Sequence, residues 1–164
     1  MIYYIFRHGE THSTKYNVPY DDKTVVSSNI LPESKQVIKR LSNYLKNKDP
    51  EYSVSSPVKR CRQTVEIIKE EIDISFVFDK RLTEFYNEPL DQMVDRLKDF
   101  LRETKEKGFK SVAVCSHGEP VSALVNLLTK GSFSEADLHQ FPPTGILLEV
   151  SDKNTKFIDF NEKV

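Results

Sequence analysis

The chain predicts an α/β fold: a three-layer α/β/α sandwich with a mostly parallel central sheet and a C-terminal antiparallel hairpin. Three observations carry this. Short runs of aromatic and β-branched residues alternate with amphipathic stretches of helical period, the pattern of a sheet covered by helices on both faces. The last two apolar runs follow one another with no helix between them. The 164 residues, 38% of them hydrophobic, can bury one core and show no linker or repeat, so a single domain over residues 1–164 is expected.

The elements follow in order. Ile2-Tyr3-Tyr4-Ile5-Phe6 reads as the first strand. Residues 12–31 form a polar connection with scattered Tyr16, Tyr20, Val25, Val26 and Ile30. Connections this long inside a compact domain are usually lids or disordered. A helix is predicted from Pro32-Glu33, with Val37, Ile38, Leu41, Tyr44 and Leu45 on one face. Residues 51–55 read as a short strand. Pro57 opens the next helix, since proline is tolerated in a first turn; Val58, Cys61, Val65, Ile68 and Ile72 form its buried stripe. Ile74-Ser75-Phe76-Val77-Phe78 alternates as a strand does. Leu90, Met93, Val94, Leu97 and Leu101 make a third amphipathic helix ending near Gly108. Residues 111–116 are a fourth strand, and 120–130 a helix stopped by Gly131. Residues 145–150 and 156–160 read as the closing hairpin.

Composition narrows the function classes. A net charge of -1 supplies no general attraction to nucleic acid or an anionic membrane. No apolar run is long enough to span a bilayer, and the N-terminal strand lacks a basic leader, so a cytoplasmic location is expected. Cys61 and Cys115 have no metal-ligand spacing and suggest no disulfide framework. His12 follows His8 by four residues, but Gly9 argues against a helix there and His-Glu-x-x-His is absent, so no metal is expected. Cys115 reads as a core residue, and His139 as solvent-facing. Tyr16, Tyr20, Phe85, Tyr86 and Phe141 are candidates for a pocket mouth, or for simple packing.

Chemistry gathers at the ends of the strands, where open α/β sheets bind ligands. The first strand runs directly into Arg7-His8-Gly9-Glu10-Thr11, and Ser111-Val112-Ala113-Val114-Cys115-Ser116 runs into His117-Gly118. The same strand-then-His-Gly pattern thus occurs twice. Arg60 lies in the first turn of the helix opened by Pro57, although Lys59 and Arg62 beside it allow an ordinary surface role. Glu84 follows the third strand. Arginine forks match phosphate oxygens, and a helix N-terminus offers free N–H groups. A histidine in such a cluster can be a nucleophile, and a carboxylic acid can protonate a leaving oxygen.

These motifs resemble the histidine phosphatase superfamily, in its phosphoglycerate mutase-like branch. Arg7-His8-Gly9-Glu10-Thr11 is similar to the family's signature. Ser56-Pro57-x-x-Arg60-x-x-Gln63-Thr64, Arg81-Leu82-x-Glu84 and Ser116-His117-Gly118 resemble its later motifs, in the family's order. The resemblance implies that His8 is the phosphorylated nucleophile, that Arg7, Arg60 and His117 bind the phosphoryl oxygens, and that Glu84 is the proton donor. It suggests Thr14 and Gly118 as further substrate contacts, and no cofactor. The implied activity is a metal-independent phosphomonoesterase acting on a small phosphorylated metabolite, with a protein phosphohistidine phosphatase, a mutase-type phosphotransferase or a non-catalytic phospho-ligand module as alternatives. The short chain favours a phosphatase over a mutase. Departures from the family pattern fall in substrate-shaping loops. Ser13-Thr14 stands where Trp-Asn is usual, Leu31-Pro32-Glu33-Ser34-Lys35 where Leu-Thr-x-x-Gly opens the first helix, and Phe85-Tyr86-Asn87-Glu88-Pro89 where Phe-Gly-x-Trp-Glu-Gly follows the acid.

Overall fold

The computed structural model describes residues 1–161. Its centre is a six-stranded sheet of order β3-β2-β4-β1-β5-β6. The strands are β1 (Ile2–Arg7), β2 (Tyr52–Ser55), β3 (Val77–Phe78), β4 (Ser111–Ser116), β5 (Ile146–Ser151) and β6 (Asn154–Asp159). The first four are mutually parallel; β5 runs antiparallel to β1, and β6 to β5. The helices are α1 (His12–Tyr16), α2 (Thr24–Ser27), α3 (Ser34–Lys48), α4 (Lys59–Glu71), α5 (Leu90–Glu106) and α6 (Gly118–Thr129).

Side-chain alternation along the strands builds two cores. Tyr3 and Ile5, Val112 and Val114, and Leu148 and Val150 face one way, against Met93, Leu97 and Phe100 of α5 and Val121 and Leu124 of α6. Tyr4 and Phe6, Ala113 and Cys115, and Leu147 face the other, against Ile38, Leu41 and Leu45 of α3 and Cys61, Val65 and Ile68 of α4. Strands buried on both faces read as continuous apolar runs, which is how β1 and β4 stand in the sequence. The three layers and the terminal hairpin are therefore as predicted. No helix among the described residues is long and apolar enough to cross a membrane.

Three local expectations are refined. Of residues 74–78 only Val77 and Phe78 join the ladder, opposite Val54 and Ser55. Ile74 and Phe76 do alternate inward onto the second core, but a 310 Å³ cleft lined by Ser53, Ile74 and Ser75 lies between the chains before that point. The closing hairpin is longer than predicted on its second strand. Its turn is Asp152-Lys153 with φ of 47° and 66°, a two-residue loop with both central residues left-handed, formed without glycine. Segment 12–31 is ordered: α1 and α2 lie within it, and Thr11 bridges Ile30.

Candidate active site

Register brings the site together. Arg7 of β1 pairs with Ser116 of β4, and Ser55 of β2 pairs with Cys115. The pairing continues past the strand ends, with His8 N–H donating to Ser116 O (3.0 Å) and Ser56 N–H to Cys115 O (2.9 Å). The two His-Gly turns thus leave neighbouring strands side by side, and the ring centroids of His8 and His117 lie 5.3 Å apart. Gly9 sits at a close approach: a Cβ there would lie 2.9 Å from both Ile38 Cδ1 and Ser34 Oγ, so those side chains would have to shift. Its N–H donates to Thr64 Oγ1 (2.8 Å), locking the turn to α4.

Arg60 is the hub. It is fully buried in the first turn of α4. Its Nε donates to His8 Nε2 (3.2 Å), its Nη2 to Glu84 Oε2 (3.1 Å) and its Nη1 to the carbonyl of Val25 (2.5 Å). The Tyr20 ring lies over its guanidinium at 4.2 Å. Arg7 donates through Nη1 to Pro142 O (2.9 Å), beneath the ring of Phe141 at 4.9 Å.

The His8 tautomer follows from its partners. His8 Nδ1 is 2.7 Å from Gly9 O, an acceptor only, so Nδ1 carries the proton and Nε2 keeps its lone pair. His117 Nε2 lies 2.9 Å from Ser56 Oγ, and its Nδ1 is 3.5 Å from Glu84 Oε2. Arg7 Nε and His117 Nδ1 are buried and have no hydrogen-bond partner among the described residues. Buried polar groups without partners are rare and call for a reason; two of them facing one charged cluster fit an anion.

Electrostatics sorts the groups by role. Burial, then the nearby Arg60 and Arg7, hold His8 well below the usual imidazole value of 6.5, so it is a neutral base. Burial and the same cations, with His8, do the same to His117. Burial pushes the Glu84 carboxyl above its ordinary 4.5, against the pull of Arg60 and Arg7. A carboxyl that burial makes a weaker acid, beside a neutral imidazole, suits the division of labour of acid-assisted nucleophilic attack.

His8, Arg7, Arg60, Glu84 and His117 are thus gathered in one cluster. Gly118 begins α6 beside them, and a Cβ on it would meet the Phe141 ring at 2.8 Å. Thr14 is not drawn in: its hydroxyl completes a capping box with Thr11, accepting from Thr11 N–H at 2.7 Å and donating to Thr11 O at 3.1 Å. Tyr20 and Phe141 cover the two arginines, and Tyr86 ties segment 12–31 to the Glu84 loop through Asp22 (2.5 Å). His139 is exposed, as expected. Cys115 is a core residue, while Cys61 Sγ comes within 3.6 Å of His117 Nε2. Sequence reasoning missed the Val25 carbonyl and the Ser56 contact to His117. Ser56 alone carried a signal, as part of its motif. Among the described residues no group of three or more His, Cys, Asp or Glu is arranged to hold a metal ion.

Comparison with known proteins bears on the fold and the family. No curated protein matches the sequence. Among solved structures, the α-ribazole phosphatase of Shigella flexneri superposes with a TM-score of 0.78 at 15% identity, over 99% of this chain and 96% of that one. The protein histidine phosphatase SixA complexed with tungstate gives 0.67 at 22% identity, over 96% and 94%. A mycobacterial glucosyl-3-phosphoglycerate phosphatase gives 0.73 at 15%, over 96% of both chains. At these identities the likeness is one of fold. The family model of the histidine phosphatase superfamily (branch 1) matches residues 3–93, which contain Arg7, His8, Arg60 and Glu84. The chain therefore belongs to branch 1 of the histidine phosphatase superfamily.

Proposed function

We propose that the chain is a metal-independent phosphomonoesterase, one domain over residues 1–164, acting through a phosphohistidine on His8. One observation carries the reading: a single guanidinium, that of Arg60, bonds the nucleophile lone pair on one side and the candidate acid on the other. A phosphoryl group entering there offers its oxygens to these donors in place of His8 and Glu84. His8 Nε2 attacks phosphorus in line, the P–N bond forms and the P–O bond to the leaving group breaks. Arg7, Arg60 and His117 take the charge on the equatorial oxygens, where pre-set electrostatic stabilisation is the largest catalytic contribution. Glu84 gives its proton to the leaving alkoxide. Water then attacks the phosphohistidine, the P–N bond breaks, and Glu84 recovers a proton from that water.

The substrate class favoured is a small phosphorylated metabolite. A carboxyl that burial makes a weaker acid suits proton donation to a poor leaving group such as an alkoxide. Rapid quench with a ³²P-labelled phosphomonoester tests the reading. The expected result is an acid-labile, base-stable adduct that maps to His8 and vanishes, with turnover, in His8→Ala. Near wild-type turnover in that variant would overturn it.

A further inference from the structure

We propose that Arg96, on α5, is the positioning residue for the Glu84 carboxyl, an inference that rests on Glu84 being the acid. The acid sits in a segment, residues 83–89, with no regular structure to fix its direction. Arg96 reaches into that segment and holds it on both sides of Glu84. Its Nη1 donates to Arg81 O (2.6 Å) and its Nη2 to Glu84 O (3.2 Å). Its Nη2 and Nε also grip the two carboxylate oxygens of Glu88, the Nε contact being 3.3 Å. One guanidinium therefore bonds residues 81, 84 and 88.

The backbone so held determines where the acid points. Glu84 Oε1 accepts from the next N–H, that of Phe85 (3.1 Å), which leaves Oε2 directed at Arg60 and His117. The upstream end of the segment is itself immobile, because Arg81 is clamped by Asp79, Asp99 and Glu103. The Arg96 side chain is 16% exposed and that of Glu88 12%, so the pair is largely shielded from competing water. The same pairing takes Glu88 out of contention as the acid. The guanidinium holds its donors in a rigid planar fork and makes all four contacts here, whereas an ammonium has only three donors, so lysine is a partial substitute.

The test is a leaving-group comparison in single-turnover phosphorylation of the enzyme, using an alkyl phosphate and p-nitrophenyl phosphate. Displacing the acid by even about 1 Å is costly, on the order of 10²-fold. Arg96→Met is expected to slow the alkyl ester by roughly tenfold to 10²-fold and the aryl ester far less. Arg96→Lys, which keeps the ion pair with Glu88, should fall between wild type and Arg96→Met and guards against a folding defect. In a Glu84→Gln background, Arg96→Met should add no further loss on the alkyl ester. Equal losses on both esters in Arg96→Met and Arg96→Lys, or additive losses in the double variant, would overturn the proposal. If Glu84→Gln by itself does not discriminate between the esters, the acid assignment fails and the role of Arg96 fails with it.

Discussion

His8 and Glu84 face the same two arginines and respond in opposite directions. Burial disfavours the charged form of each, which lowers the imidazole and raises the carboxyl. Both shifts enlarge the pH range in which a neutral nucleophile and a protonated acid coexist. The sign on each limb follows. Lowering pH through the depressed value of His8 protonates the nucleophile, so the acid limb of kcat/KM should lie below 6.5. Raising pH through the elevated value of Glu84 removes its proton, so alkyl phosphates should lose rate on the alkaline side. Glu84→Gln should abolish that alkaline limb and slow alkyl phosphates by about 10²–10⁴-fold, with a much smaller effect on p-nitrophenyl phosphate. An alkaline limb that persists in Glu84→Gln would assign it to another group. At this scale the sequence was unusually legible, because five charged or imidazole side chains stood in four spaced motifs. What it hid were groups that no motif marks. The Val25 carbonyl is a backbone group of the four-residue helix α2. Arg96 stands in a charged helix where an arginine reads as solvated. Thr14 fitted by position, but its hydroxyl is consumed by the cap of its own short helix.

Segment 12–31 shows what a loop-like stretch does when a few side chains anchor it. Tyr20 lies over Arg60 and its hydroxyl meets Thr11 Oγ1 (2.8 Å), while Val25 is buried and lends its carbonyl to the same arginine. A cation–π contact is worth about 0.5–2 kcal/mol, or about 2- to 30-fold in a local opening equilibrium. Tyr20→Ala should therefore speed tryptic cleavage at the exposed Lys23 by a factor in that range, with the melting temperature of the whole protein little changed. Cleavage at the wild-type rate would mean that the ring does not hold the segment. The major helices were legible in their apolar stripes, and the first and fourth strands in their unbroken apolar runs. The anchoring of 12–31 was not, since it depends on contacts between Tyr20 or Val25 and an arginine some forty residues away. The hairpin turn escaped because Asp152-Lys153 lacks the glycine that advertises such a loop, and β3 because alternation reports facing, not pairing.

In the whole molecule, chain order and sheet order are interleaved. β4 lies between β2 and β1, and β1 between β4 and β5. His117, on the far side of the stretch that the family model covers, is thereby inserted among residues that precede it. A cut at Gly108, an exposed residue with φ of 73°, would separate 1–107, whose β1 and β2 are not neighbours, from 109–164, whose β4 and β5 are not neighbours either. Each piece is a comb whose gaps are filled by the teeth of the other. Neither should turn over a phosphoester alone, and mixing the two should restore activity with second-order kinetics. Hydrolysis by 1–107 alone would show that the first half closes a sheet unaided. The same interleaving means that a nascent chain cannot assemble its reactive centre until the fourth strand has emerged. Until then His8 has no imidazole beside it, so the proposed activity would arrive late and all at once.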